Sequence, residues 1–319
     1  MAHGLNAPLG SATALARVVP IVVLGDSPLM FAPLSTPDEH ILTVHCPEAY
    51  GLVSAVASNL THQGCDIFDV KHFSDRHNGE FFIRCHTMSN PGAVTTESLI
   101  GGFRPVADQH RMRFRLVNAR KKTRVLIMVS KISHCLTDLL HRQRVNSLPI
   151  EIVAVVSNHT DLHPLVDFYG IPFHHIPVTN DSKPTAEAEL LELVAHYDTE
   201  LVVLARYMQI LSDDLTRALT GKCINIHHSF LPSFKGAKPY HQAYDRGVKM
   251  VGATAHYVTS DLDEGPIIAQ RVIPVDHAHT PSDLVAAGSD AETQALSRAV
   301  KWHAEGRVVI SGNRTIVLA

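Results

Sequence analysis

The pattern of apolar and polar positions differs between two parts of the chain. In residues 39–118 the apolar positions predict the order β-α-β-β-α-β, with a helix that begins after Gly51 and a hairpin turn at Asn78 and Gly79. Residues 124–319 instead carry short, nearly continuous apolar runs that alternate with helical segments. Strands that are apolar on both faces predict a parallel sheet covered by helices on both sides. The predicted fold class is therefore α/β: a small ferredoxin-like βαββαβ domain, then a Rossmann-like, mostly parallel sheet.

The pattern of residues 124–319 also predicts where a ligand binds. Its apolar runs stand at 124–130, 150–156, 200–206 and 223–228, with helical segments at 134–144, 161–169 and 185–197. Two further strands are predicted within 250–274, then a helix over 281–305 and a hairpin over 307–317. Ligands of such sheets bind at the carboxyl ends of the strands, so we expect chemistry just after Val203 and Ile226.

The segments outside these two regions are polar or irregular. Residues 1–38 are predicted to be a loosely packed N-terminal extension, with Arg17 as their one Lys or Arg, and residues 119–123 are predicted to be a solvated linker. Residues 124–319 then form the predicted catalytic domain. No apolar run approaches the roughly 20 residues that span a bilayer. We expect a cytoplasmic protein, and organellar import through the extension is left open.

Composition narrows the function classes. With 45% hydrophobic and 18% charged residues, the chain is predicted to be globular. A net charge of -3 disfavours a nucleic-acid partner. The 5 cysteines are odd in number and form no C-x-x-C pair, which disfavours a disulfide framework and a cysteine zinc site. The 22 histidines are scattered, and no H-E-x-x-H motif suggests a metal.

The densest polar cluster lies between Asn225 and Asp263. Asn225 and His227 are two apart on a predicted strand and share one face of it. An amide and an imidazole on one face suit a reaction that builds negative charge on an oxygen, with a nearby carboxylate to hold the imidazole or a water. Spacing alone equally allows these residues to satisfy backbone groups at a strand end and D-L-D-E-G-P to be an ordinary turn.

Four segments of this region carry a family resemblance. They read INIHHSFLP from residue 224, GAKPYHQA from 236, GATAHYV from 252 and LDEGPII from 262. The series resembles the folate-dependent formyltransferase superfamily. The resemblance implies that its catalytic Asn, His and Asp fall on Asn225, His227 and Asp263.

The same resemblance implies a folate site. Residues 204–211 are similar to the segment that forms the pterin pocket, with Gln209 where the transformylases carry Arg, and residues 258–262 are similar to the loop that closes over the pterin. The implied folate-binding residues are Met208, Gln209, Leu211, Val258, Thr259, Ser260, Asp261 and Leu262.

Two features resemble the deformylase branch of that superfamily. CPEAYGLV from residue 46 is similar to the ACT-domain signature, with departures at Glu48 and Tyr50 that put effector binding in question. VSKISHCLTDLL from residue 129 stands where the ribonucleotide transformylases have a glycine-rich phosphate turn, and no glycine occurs between 125 and 169.

The branch implies an enzyme that hydrolyses 10-formyltetrahydrofolate to formate and tetrahydrofolate, supplying formate for purine biosynthesis and balancing one-carbon folate pools. It implies no metal or nicotinamide cofactor, no nucleic-acid or membrane partner, an amino-acid effector at the ACT-like domain, and a homo-oligomer, dimer or tetramer. A folate-dependent formyltransferase and a non-catalytic amino-acid sensor are the alternatives.

Overall fold

The computed structural model describes residues 36–231 and 239–319. The predicted extension at 1–38 lies outside these ranges except for its last three residues, 36–38. The motif that starts at residue 236 lies outside them through 238.

The first described module is a four-stranded antiparallel sheet with two helices. Its elements are β1 (Asp38–Pro47), α1 (Leu52–His62), β2 (Asp66–Asp75), β3 (Glu80–Ser89), α2 (Thr96–Gln109) and β4 (Arg113–Asn118). The strands lie in the order β2-β3-β1-β4. This arrangement confirms the predicted βαββαβ order and is consistent with an ACT-like domain.

Local sequence explains why α1 forms. Gly51 precedes it with a left-handed φ of 79°, which glycine adopts without strain. Leu52, Val56 and Leu60 then recur at helical spacing and are all buried. They pack in one cluster with Phe103 of α2, so the predicted apolar stripe is the face that holds this module together.

The second module is built on a seven-stranded sheet. Its elements are β5 (Thr123–Val129), α3 (His134–Arg144), β6 (Ile150–Ser157), α4 (His163–Phe168), β7 (Phe173–His175), α5 (Lys183–His196), β8 (Leu201–Leu204), α6 (Asp213–Ala218), β9 (Cys223–His227), α7 (Pro239–Asp245), β10 (Met250–Tyr257), β11 (Ile267–Pro274), α8 (Pro281–Ala304), β12 (Val308–Ser311) and β13 (Arg314–Val317). The strand order is β11-β10-β9-β8-β5-β6-β7.

The sheet is mostly parallel, as predicted. The pairs from β7 across to β9 are parallel, whereas β10 pairs antiparallel with both β9 and β11. Three short elements were not anticipated from the sequence, namely β7, α6 and α7. Each spans between 3 and 7 residues, too few to show a period.

Both faces of this sheet are covered. Val125 and Ile127 of β5 face one apolar cluster, which includes residues of α3 and α8. Leu126 and Met128 face the other, which includes Leu190 of α5. A central strand buried on both faces must be apolar on both faces, which is the pattern that residues 125–129 show. The carboxyl ends of β8 and β9 therefore lie side by side at one edge of this core.

Polar contacts join the two modules. Arg84 is 1% exposed, and its guanidinium donates through Nε to the carbonyl of Glu305 at 3.0 Å. Thr43 donates to the carbonyl of Gly306 at 2.9 Å. Together, residues Pro37–Ala319 group as one unit by their contacts, so the predicted boundaries at 118 and 124 stay predictions.

Two further properties concern the described residues alone. All five cysteines are free thiols and buried. None of the described helices combines the length and the apolar character that crossing a membrane requires.

Candidate active site

A cavity of about 620 Å³ opens at the carboxyl ends of β8 and β9. Strand β9 contributes Asn225 and His227 to its wall, and Leu204 ends β8 beside them. The loop at 258–263 and helix α8 supply further walls. The cavity lies where the strand order predicts a ligand, and its volume is in the usual range for a small-molecule site.

The structure brings Asn225, His227 and Asp263 together in this cavity. Nδ1 of His227 lies 3.1 Å from Oδ2 of Asp263. Nδ2 of Asn225 donates to Oδ1 of the same carboxylate at 3.5 Å. The three side chains named from the sequence thus form one hydrogen-bonded group, although Asp263 comes from the loop between β10 and β11 and the other two from strand β9.

The carboxylate orients the imidazole. Because Asp263 faces Nδ1, that nitrogen carries a proton, and Nε2 is left as the working nitrogen. His227 is 5% exposed, and its Nε2 is buried without a hydrogen-bond partner among the described residues. A buried ring nitrogen without a partner is costly unless a bound molecule uses it. His227 therefore presents Nε2 for a ligand of the cavity.

Asp263 is held in an uncommon state. Its φ of 59° is left-handed, a conformation that Asp tolerates better than most residues. Burial by itself raises the pKa of the Asp263 carboxyl, but its interactions with His227 and His256 outweigh burial and hold the pKa well below its usual range. The side chain is therefore a carboxylate throughout the neutral range.

His256 is a member of the group that sequence reasoning missed. Its Nδ1 lies 2.9 Å from the carbonyl oxygen of Tyr257 and must donate there. With Nδ1 as the donor, Nε2 accepts from Nδ2 of Asn225, at 3.3 Å. His256 and Asn225 are direct partners across the β9–β10 pairing. Sequence reasoning missed His256 because only the strand pairing places it beside Asn225, and the sequence of either strand alone does not show that pairing.

The predicted folate-binding residues fall mostly in the cavity wall. Met208, Gln209, Leu211, Val258, Thr259, Ser260 and Leu262 all line it. Asp261 does not line it; its carbonyl oxygen accepts a hydrogen bond from the Thr259 hydroxyl. Met208 and Leu262 are 56% and 58% exposed, so each has apolar surface that a flat ligand would cover.

Ser130 shapes this wall from the next strand. Its hydroxyl accepts from the backbone N–H of Met208 at 3.0 Å and donates to Asn158 at 2.7 Å. The serine at the end of β5 thus holds the loop after β8 in place. In the sequence this segment stood out because it lacks the glycines of a phosphate-binding turn, and this hydrogen bond was not predicted.

A second polar group lies at the α8 side of the same cavity. Glu292 of α8 is 2% exposed and accepts from the Tyr240 hydroxyl at 2.9 Å and from Nε2 of His134 at 2.8 Å. Arg206 approaches it to 3.5 Å. Burial by itself raises the pKa of the Glu292 carboxyl. The hydrogen bond from His134 and the charge of Arg206 outweigh burial, so the pKa lies below its usual value. Sequence reasoning missed this group because its members come from separate elements.

The fold and the site together fit the formyl transferase class, and the sequence profile of the formyl transferase family matches residues 123–300. A formyltetrahydrofolate deformylase of Corynebacterium sp. (strain P-1) is 57% identical over 279 residues, 88% of this chain and 98% of that protein. The chain belongs to the formyltetrahydrofolate deformylase family.

Solved structures support the same placement. A crystal structure of formyltetrahydrofolate deformylase from Burkholderia mallei ATCC 23344 is similar with a TM-score of 0.84 at 47% identity, covering 89% of this chain and 100% of that one. A glycinamide ribonucleotide transformylase 1 from Symbiobacterium toebii is similar with a TM-score of 0.58 at 32% identity, covering 62% of this chain and 95% of that one. The deformylase similarity therefore extends over both modules.

Proposed function

We propose that this chain hydrolyses 10-formyltetrahydrofolate to formate and tetrahydrofolate at the cavity beside Asn225, His227 and Asp263. The observation that carries the proposal is the 3.1 Å contact between Asp263 and Nδ1 of His227, which leaves Nε2 buried in the cavity wall with no hydrogen-bond partner among the described residues. An oriented imidazole of this kind is the general base that activation of a water requires. The names of the relatives supply the substrate.

The first half of the reaction is attack on the formyl carbon. A water held at Nε2 of His227 gives that nitrogen a proton while its oxygen forms the new bond to carbon. The developing imidazolium is stabilised by the Asp263 carboxylate at Nδ1. Nδ2 of Asn225 carries two N–H groups, and while one serves His256 and Asp263 the other is available to the oxyanion.

The second half expels the folate amine. The bond between the formyl carbon and N10 breaks, and N10 takes the proton that His227 Nε2 received from water. The formic acid loses its remaining acidic proton to solvent and becomes formate. Water and the folate are the reactants of this scheme, and it assigns no step to a metal or a nicotinamide.

The finer expectations stay part of the proposal. They are an amino-acid effector at the ACT-like module, a dimer or tetramer, action in the cytoplasm, and formate supply for purine synthesis. The turn between β1 and α1 offers a surface to which another molecule could bind, because Tyr50 is fully exposed there, at 104%. An exposed aromatic ring next to an exposed Glu48 is available to an effector or to a second copy.

Formate release without an acceptor tests the proposed reaction. The purified chain is incubated with 10-formyltetrahydrofolate alone, and formate and tetrahydrofolate are both quantified. We expect equal amounts of the two products with no further addition. Turnover that requires added glycinamide ribonucleotide would instead favour a transformylase, and folate-independent binding of amino acids without turnover would favour a sensor.

A further inference from the structure

Arg206 stands at the start of the loop that follows β8, in the wall of the catalytic cavity. Its φ of 65° is left-handed, which is uncommon for a residue other than glycine, and its carbonyl accepts from the Ser130 N–H at 3.2 Å. Its side chain is 10% exposed. The backbone is thus held in a strained conformation that directs a charged side chain into the protein, and such strain is common at functional sites.

The Arg206 guanidinium has donors that the described residues do not use. Nε and Nη1 are both buried and lack a hydrogen-bond partner there. Its ion-pair partner Glu292 is 3.5 Å away from Nε, and the two Glu292 oxygens already accept from Tyr240 and His134. Burying a cation whose N–H donors have no acceptor costs free energy. A bound molecule with acceptor oxygens is therefore expected beside Arg206.

The charges around Arg206 favour an anion over a cation. One atom each of His134, Cys135 and Glu292 lie within 4.8 Å of one another, which is close enough for a metal. Burial, however, raises the pKa of the Cys135 thiol well above its usual range, so it is not a thiolate. The adjacent guanidinium repels a metal ion as well. Burial and Arg206 itself lower the pKa of His228 to about 4, so that ring adds no competing charge at neutral pH.

We propose that Arg206 binds the formate released by the reaction, forming a product site in the catalytic cavity next to the Asn225, His227 and Asp263 group. This inference rests on the proposed function, which makes a one-carbon carboxylate in this cavity. Formate forms beside the Asp263 carboxylate, which repels it. A guanidinium donates charge-assisted hydrogen bonds to carboxylate oxygens, and Arg206 lines the same cavity with buried donors that the described residues do not use.

Direct binding of formate tests this site without turnover. Sodium formate is titrated by calorimetry into the full-length protein with tetrahydrofolate bound, for wild type, Arg206→Met, Arg206→Lys and Arg217→Met. Arg217 is the control, because it is exposed on α6 and pairs with Asp214. Charge-assisted hydrogen bonds predict that Arg206→Met weakens formate binding by about tenfold to a hundredfold. Arg206→Lys keeps the charge without the guanidinium donors and should lose less, while Arg217→Met should match wild type.

Several results would overturn the product site. They are no formate binding by wild type, equal formate affinity in Arg206→Met, or chloride binding as tightly as formate. Weaker tetrahydrofolate binding with unchanged formate affinity would assign Arg206 to the folate instead. If Arg206→Met does not fold, Arg206→Lys decides, since unchanged formate affinity there contradicts a contact made by the guanidinium donors. A protein that binds formate through Arg206 but releases none from 10-formyltetrahydrofolate would refute the proposed function separately.

Discussion

The substitution Asp263→Asn isolates the role of the carboxylate that faces His227. Asn has the same shape and also tolerates the left-handed backbone at φ 59°, so the loop should keep its conformation. What changes is the partner of His227 Nδ1, which lies 3.1 Å from Oδ2. An amide N–H at that position donates to Nδ1 and forces the proton onto Nε2, where the ring can no longer act as a base.

The expected loss follows from those contacts. A positioned general base contributes about 10² to 10⁴ in rate, and the wrong imidazole tautomer costs about 10⁴ in serine hydrolases. We therefore expect kcat to fall by about 10³ to 10⁴, which corresponds to about 4 to 5 kcal/mol of barrier. The affinity for tetrahydrofolate should change little, because the predicted pterin contacts come from other residues.

Steady-state formate release and tetrahydrofolate binding are measured side by side for Asp263→Asn and Glu264→Gln. Glu264 is exposed and outside the cavity wall, so it is the matched control one residue away. A kcat within about tenfold of wild type in Asp263→Asn, or an equal loss in Glu264→Gln, would refute the assignment of the catalytic carboxylate.

Three further changes test the surroundings of the site. Gly265→Ala should abolish turnover, because its Cβ would stand 1.7 Å from the carbonyl oxygen of Tyr257, whereas Gly101→Ala meets no atom within 4 Å and should leave turnover intact. Ser130→Ala removes the acceptor for the Met208 N–H and should raise KM about fivefold with a smaller effect on kcat, as loss of one hydrogen bond of about 1 kcal/mol predicts; an unchanged KM contradicts this. Burial and Arg115 lower the pKa of His303 from 6.5 to about 4, so the unfolded chain takes up that proton first and the free energy of unfolding should fall as the pH is lowered from 6.5 to 4. Urea titrations across this range should show a shallower dependence in His303→Gln, and an unchanged slope would contradict the assignment.

Local patterns were enough to predict most of the elements. The helix predicted at 134–144 has those bounds as α3, and the run at 150–156 became β6 with one more residue. Buried strands and the apolar faces of helices can be predicted from the sequence, because the polarity of each residue follows from whether its side chain is buried or exposed. Gly51 was readable for the same reason, since a left-handed turn depends on a single residue.

The candidate site was predicted in part. Asn225 and His227 share a face of one strand, and a strand alternation shows that directly. Their contact with Asp263 was an expectation of the family resemblance, because no local period links a strand to a distant loop. Sequence motifs therefore named the residues, while the atoms that meet, Nδ1 and Oδ2, come from the structure.

The sequence by itself determined the two modules, the mostly parallel sheet and the edge of the sheet at which the cavity opens. The tertiary structure alone decided that His256 lies across from Asn225 and that Arg206 and Glu292 meet within the cavity. It also decided that two Arg206 donors have no hydrogen-bond partner in the part of the chain that the structure describes. The physical reason is that these contacts depend on strand order and on helix placement against the sheet. Both arise from packing of the whole core, which no single segment encodes.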